Sequence, residues 1–295
     1  MSTNIVVVGS ANVDLIMRMT HLPAPGETVI GATSSRAPGG KGANQAAAAA
    51  RLGARTWFVG AVGDDELGRW TREDLEASGV DCTLLATSDL PTGVAHIWID
   101  EAGENSIAVA SGANGGITAD DVERALARIE EAEAVVLTNL EIPDEAVAAA
   151  ARHSEGRGWR LVLNPAPAHP IAAEILARCA VVTPNETEAQ VLAEGGDLLD
   201  AGVDAVVVTL GARGAELRRR GTEAVRQPPF PVEALDTTGA GDAFSATIAW
   251  ALADGRALED AVRLAAGAGA LATRGVGARS SLADRAELEA FVSAG

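Results

Sequence analysis

The sequence predicts an α/β fold, a three-layer sandwich whose central, mostly parallel sheet is covered by helices on both faces. Three observations carry this reading. Short apolar runs recur along the chain, at residues 5–8, 56–60, 134–138, 160–163, 180–182 and 205–210. Runs of that length without polar alternation mark strands buried on both sides. Helical patterns separate most of them, as parallel pairing requires, because a parallel strand must be reached by a crossover. Finally, 47% of the 295 residues are hydrophobic, ample for a core of this kind.

The elements follow in order. Residues 42–52 are alanine-rich and 66–78 are amphipathic, both helical patterns. Thr118 with Asp121 spells a capping box that opens a helix running to about residue 131. Pro143 suits the first turn of the helix after it. Residues 239–273 read as two helical segments rich in Ala and Gly, which implies close packing on the sheet, and 282–292 as a last helix.

Two segments break the alternation. Residues 13–19 with 28–37, and 92–100 with 105–110, read as strand pairs without a helix between them, the second turning at Glu101-Ala102-Gly103-Glu104. They predict a small sheet from inserted segments at about 13–37 and 92–111. A lid over a site is one reading; an edge extension of the main sheet is the other. No repeat, low-complexity stretch or linker interrupts the pattern, so residues 1–295 are expected to form a single domain.

The formal net charge of −18 repels polyanions, so neither nucleic acid nor an anionic membrane is an expected partner. Cys82 and Cys179 lie far apart and show no metal spacing, which fits a reducing, cytoplasmic setting. The first residues lack the basic and apolar regions of a signal peptide. No apolar run approaches the roughly 20 residues of a membrane span.

Chemistry concentrates in four places. In residues 236–245, Asp-Thr-Thr-Gly-Ala-Gly-Asp-Ala-Phe-Ser, Gly239 and Gly241 flank Ala240 and lead into a helix-forming stretch. Such a turn presents free N–H groups at a positive helix end, an anion site. Asp242 in the same turn is either a cap or a base. Amides for phosphate charge beside a base for a hydroxyl proton is what phosphoryl transfer asks for. The signature of a P-loop is absent, and the two glycines do not make a dinucleotide fingerprint.

In the second place, Gly39, Gly40 and Gly42 allow close backbone approach to a ligand, while Lys41 and Asn44 add donors; a flexible turn is the plainer alternative. Third, Asn12 and Asp14 follow the first strand and share a face by alternation. They are placed to bind sugar hydroxyls or to form an Asx turn. Fourth, Asn185 and Glu188 follow one buried strand and Thr209, Gly211, Ala212, Arg213 and Gly214 follow another, where a nucleotide could bind. His21, His96, His153 and His169 share no metal or triad spacing and are assigned surface or packing roles, His96 as a contact of the lid. The esterase pattern G-x-S-x-G does not occur.

Together with residues 8–14 (Val-Gly-Ser-Ala-Asn-Val-Asp), 25–28 (Pro-Gly-Glu-Thr) and 164–167 (Asn-Pro-Ala-Pro), these segments resemble the phosphofructokinase-B family of carbohydrate kinases, in its ribokinase branch. The resemblance spans essentially the whole chain. It implies the ribokinase-like fold with a β-sheet lid, and ATP-dependent phosphorylation of D-ribose to D-ribose 5-phosphate. It assigns the sugar to Asn12, Asp14, Gly39, Gly40, Lys41, Asn44 and Glu141, the base to Asp242, and the anion hole to Gly239, Ala240 and Gly241. The ATP site would take Asn185, Glu188, Thr209, Gly211, Ala212, Arg213, Gly214 and Gly241, with Asn185 and Glu188 organising phosphate and Mg2+ through water. A monovalent cation, normally K+, would be held by Asp236, Thr238, Ala272, Gly275, Gly277 and Ser281. The lids would pair the chains into a homodimer.

The sequence departs from the family twice. The stretch between Asn185 and Thr209 is shorter by roughly one helix, and Ala266 stands where an Asn or His often lies near adenine. The same chemistry on deoxyribose, another pentose or a nucleoside is the alternative. The absence of Tyr, with only four Phe, counts against a nucleoside base. A non-catalytic sugar-binding regulator would be expected to have lost Asp242 or its glycine turn, and both are present.

Overall fold

A computed structural model describes residues 3–193 and 196–295. Its centre is a nine-stranded sheet in the order β13-β12-β11-β10-β9-β8-β1-β4-β5. β1 (Asn4–Val8) pairs in parallel with β4 (Arg55–Gly63) on one side and β8 (Val135–Asn139) on the other. β9 (Arg160–Asn164), β10 (Val181–Val182) and β11 (Ala205–Thr209) continue the parallel order one way, and β5 (Leu85–Ser88) the other. β12 (Ala215–Arg219) and β13 (Val225–Gln227) close one edge as an antiparallel hairpin.

Alternation divides the core. Ile5, Val7, Phe58, Leu137 and Val207 face one layer of helices, and Val6, Val8, Val59, Val136 and Val208 face the other. The first layer holds α1 (Lys41–Arg51), α2 (Glu66–Ala77), α7 (Ala240–Ala253), α8 (Leu258–Ala272) and α9 (Arg285–Ala294). The second holds α3 (Ala119–Leu126), α4 (Asp144–Arg157), the short α5 (Ala173–Leu176) and α6 (Glu186–Ala193). Phe58 is fully buried between strand and helices, a site contributing about 1.5–3 kcal/mol. In α1 six of the eight buried residues are alanine or glycine, the other two being Asn44 and Gln45, so its backbone packs close to α7.

A second sheet of four strands, β3-β2-β6-β7, stands beside the first. β2 (Asn12–Arg18) lies between antiparallel β3 (Thr33–Gly39) and parallel β6 (Gly93–Ile99), and β7 (Asn105–Ala110) pairs with β6 through the turn at 101–104. It is separate from the large sheet, so the edge-extension reading fails. Arg36 on β3 ties it to α2, pairing with Glu66 at 3.2 Å and stacking on Trp70. Every residue of β7 is exposed, including Ile107 and Val109.

Several boundaries differ from the sequence reading. β3 starts at Thr33, not 28. Residues 23–28 carry two prolines and a turn in which the Glu27 N–H donates to the Ala24 carbonyl. The Thr118–Asp121 capping box is formed, but α3 ends at Leu126 rather than near 131, passing into turns that close on Ala125 and Leu126. α9 begins at Arg285 because Asp284, not residue 282, caps it by accepting from the Glu287 N–H.

Candidate active site

The parallel strands of the large sheet end toward one crevice, and loops from the whole length of the chain meet there. Buried within it is Asp242, in the first turn of α7. Gly239 precedes that helix in the left-handed conformation, at φ 78°. A Cβ on it would lie 2.7 Å from the Ala278 backbone, so only glycine allows this turn to approach the 275–281 loop so closely. The Asp242 carboxylate is buried and accepts two side-chain hydrogen bonds from α1. Asn44 Nδ2 donates to Oδ2 at 2.9 Å, and Gln45 Nε2 donates to Oδ1 at 3.1 Å. Gln45 is also anchored to Asn164 Oδ1 at 3.0 Å. Burial pushes the Asp242 carboxyl up to about 6. The nearby Lys41 ammonium and the Asn44 donor oppose that rise, and the Glu141 charge adds to it.

A second carboxylate, Glu141, follows β8 and receives the start of α1. Its Oε2 accepts from the Lys41 N–H at 2.9 Å and from Ser10 Oγ at 2.5 Å, an acid at a positive helix end. Asp14 lies on β2 against Gly39, where an added Cβ would sit 2.1 Å from Asp14 Oδ1. Burial pushes Asp14 up to about 6 as well, with Glu141 adding to the rise and Arg279 opposing it. Asn12 is buried on the same strand and turned by Asn114, whose Nδ2 donates to Asn12 Oδ1 at 2.7 Å. Asn114 also bonds both backbone groups of Ala11. A cavity of about 300 Å³ opens beside Asn12 and Glu141, bounded in part by Val109, Ser111 and Pro167. A larger one, about 560 Å³, is bounded by Pro231, Glu233, Leu235, Arg274 and Phe291 and includes none of the candidate residues.

On the other side of Lys41, the loop after β10 meets the loop after β11. Asn185 bridges to Thr209, and the Thr209 N–H donates to the Pro184 carbonyl at 2.9 Å. Asn185 and Glu188 cap α6 reciprocally, each side chain accepting from the other's backbone N–H at 2.8 Å. Burial raises the Glu188 carboxyl, against the Asn185 bond and the Lys41 charge. Lys41 therefore acts electrostatically on both Asp242 and Glu188, the link between the two halves of the crevice. Gly211, Ala212 and Arg213 form a short turn, and Arg213 is engaged with Glu186 at 2.5 Å. Gly214 sits so close to the Gln227 carbonyl that it serves the β12–β13 hairpin in any case.

The 236–238 and 275–281 loops are sewn together. Asp236 Oδ1 accepts from the Thr238 N–H and Oγ1, and Oδ2 accepts from the Gly277 N–H at 2.8 Å. Against partial burial, these donors hold its carboxyl below the usual range. The N–H groups of Leu235 and Asp236 donate to Thr273, one residue past Ala272, and Gly275 packs against the Ser281 hydroxyl. The donor set there is oxygen throughout, which suits a hard cation. Among the described residues no cluster of His, Cys, Asp and Glu could hold a metal by side chains alone.

Five residues of the site were not singled out from the sequence: Ser10, Gln45, Asn114, Asn164 and Arg279. Gln45 was within reach, one helical step from Asn44. Arg279 carried no signal, being a lone arginine among small residues. The four histidines stay out of the crevice's hydrogen bonds; His21 pairs with Glu27, His169 with Asp144, and His153 packs on Trp159.

Comparison with known proteins places the chain among carbohydrate kinases. The model of the pfkB family carbohydrate kinases matches residues 2–285. A ribokinase of Bacillus subtilis is 40% identical over 297 residues, covering 98% of this chain and 99% of its own. A deoxyribokinase of Salmonella typhimurium is 33% identical over 304 residues, covering 98% and 99%. The structure of Arabidopsis thaliana ribokinase complexed with ribose and ATP superposes with a TM-score of 0.89 at 33% identity, covering 99% of each chain. A kinase of this kind transfers phosphate to a sugar hydroxyl, and this chain belongs to the pfkB family of carbohydrate kinases.

Proposed function

We propose that this kinase phosphorylates D-ribose at its terminal hydroxyl with ATP, giving D-ribose 5-phosphate and ADP, and that Asp242 is the base. The observation that carries the reading is the buried Asp242 carboxylate at the glycine turn opening α7, fixed by Asn44 and Gln45. A carboxyl near 6 is ionised at neutral pH yet more basic than an ordinary aspartate, which suits proton removal from an alcohol as it attacks phosphorus. The amides of Gly239, Ala240 and Gly241 would meet the charge developing on the transferred phosphate, the Ala240 N–H giving up its 3.2 Å bond to the Thr237 carbonyl to do so.

Asn12, Asp14, Gly39, Gly40, Lys41, Asn44 and Glu141 would hold the sugar, whose hydroxyls can donate to the carboxylates and accept from the amides. Asn185, Glu188, Thr209 and the 211–214 turn would hold ATP; the similar Arabidopsis ribokinase forms a complex with ribose and ATP, which supports the choice of ligands. Mg2+ bound with ATP would neutralise phosphate charge, and Asn185 and Glu188 are the oxygen donors on that side. The oxygen-only set at Asp236, Thr238, Ala272, Gly275, Gly277 and Ser281 fits K+, which would order the turn from below. The four-stranded sheet would act as a lid that excludes water and pairs two chains through its exposed face, in a cytoplasmic homodimer. No helix among the described residues is long and apolar enough to cross a membrane.

The test is ADP release across pentoses, hexoses and nucleosides, with and without K+, for the unaltered protein and Asp242→Asn. Ribose-dependent turnover that falls by a factor of about 10² to 10⁴ in the variant, with ribose affinity little changed, is expected. Full turnover in Asp242→Asn would refute the base, and preference for deoxyribose would move the substrate alone.

A further inference from the structure

The Arg279 side chain is only 10% exposed and lies within the crevice, on the same loop as Gly277 and Ser281. Its guanidinium is spent on three walls. Nε donates to Asn44 Oδ1 at 2.9 Å, one terminal nitrogen pairs with Asp74 on α2, and the other reaches the Gly39 carbonyl at 3.4 Å.

The bond to Asn44 has a logical consequence. Arginine can only donate, so it fixes the amide oxygen of Asn44 toward itself. The Asn44 NH2 must then face the Asp242 carboxylate, as it does at 2.9 Å. Turning the amide over would oppose donor to donor at Arg279 and acceptor to acceptor at Asp242, two buried mismatches. Burying a guanidinium is itself costly, and Asp74 offsets that cost from outside the sugar residues.

We propose that Arg279 is a positioning residue for phosphoryl transfer, locking the Asn44 amide so that it donates to the base and fixes the Asp242 carboxylate in its reacting orientation. The proposal rests on Asp242 being the base. The charged groups facing Asp242 are Lys41 from α1, Glu141 after β8, Asp14 from β2 and Arg279; those facing Arg279 are Asp74, Asp14 and Asp242. Removing Arg279 takes away a positive charge that Asp242 and Asp14 both face, so protonation of the base becomes easier.

The experiment compares Arg279→Gln, Arg279→Lys and Asp242→Asn by kcat, by KM for ribose and by the acid limb of kcat between pH 5 and 8. In Arg279→Gln, kcat is expected to fall by about 10- to 100-fold while KM rises no more than about threefold, and the acid limb moves to higher pH. Arg279→Lys keeps the charge but not the fork, so its limb stays near that of the unaltered enzyme while kcat remains low. Unchanged kcat in either variant would overturn the proposal. So would a fall in kcat matched by an equal loss of ribose affinity with the limb unmoved, which marks simple structural damage. If Arg279→Gln fails to fold, Arg279→Lys decides: a fall in kcat with KM for ribose little changed supports the proposal, and unchanged kcat or an equal loss of ribose affinity overturns it. Turnover surviving Asp242→Asn would remove the base and the proposal together, whereas normal Arg279 variants beside a dead Asp242→Asn would remove the proposal alone.

Discussion

Lowering the pH from 7.5 to 5 should switch off the proposed base, Asp242, over a range where an ordinary aspartate would still be ionised. Asp242 is held at about 6 by burial, against 3.8 for an exposed aspartate. At pH 7.5 about 3% of such a group is protonated, and at pH 5 about 90%, so kcat should fall roughly tenfold. A carboxyl at 3.8 would be only about 6% protonated at pH 5, and kcat would hardly change. Asp14 is raised to about 6 by the same burial and lies close enough to interact, so the limb belongs to the pair. If ribose needs Asp14 ionised, kcat/KM should fall more steeply than kcat. The assay is initial-rate ADP release at saturating ribose and ATP, in buffers of constant K+ and ionic strength. A kcat that stays flat down to pH 5 would refute the argument that burial tunes the base.

The same shift makes a prediction about folding. A carboxyl whose folded pKa lies above its unfolded value contributes stability that is present below about 4 and lost as pH rises through about 6, worth about 3 kcal/mol for Asp242. Urea unfolding of the ligand-free protein at pH 4.5 and 7 should show that loss diminished in Asp242→Asn; equal pH dependence in the two proteins would refute it. Gly239→Ala should lower kcat at least tenfold and cost about 1–3 kcal/mol, because the left-handed turn and the Ala278 backbone both exclude a Cβ. Near-normal kinetics and melting temperature there would show that the turn can shift freely. Ile107→Glu with Val109→Glu, on the exposed face of β7, should give monomers in sedimentation velocity; dimers of unchanged strength would move the interface elsewhere.

Legibility followed chemistry and burial. The parallel strands could be read because both their faces are covered, leaving runs such as residues 5–8 and 205–208 with no polar member. The β12–β13 hairpin could not, since Ala215 and Leu217 point inward between Glu216 and Arg218 over too few residues for alternation to stand out. β5 escaped for a similar reason, being four residues with one fully buried end. In the site, the turn at 239–242 could be read because two glycines and a carboxylate lie within four residues at the start of a helix. Arg279 could not, because its meaning depends on Asp74, Gly39 and Asn44, each brought to it from more than 200 residues away. Asn114 is hidden in the same way: what it does is to aim Asn12, a residue about 100 positions earlier.

Asn12 and Asp14 belong to the small sheet, while Asp242 starts a helix buried along nearly its whole length in the large core. The two are thus mounted on parts with very different tolerance for change. A mutation in β2 or β6 alters a four-stranded appendage, whereas one in the first turns of α7 disturbs the packing of the entire helical layer. If Asn12 and Asp14 hold the acceptor as proposed, that part of acceptor preference can drift by natural variation in the small sheet, while the proposed base and its turn are kept in place by the demands of folding.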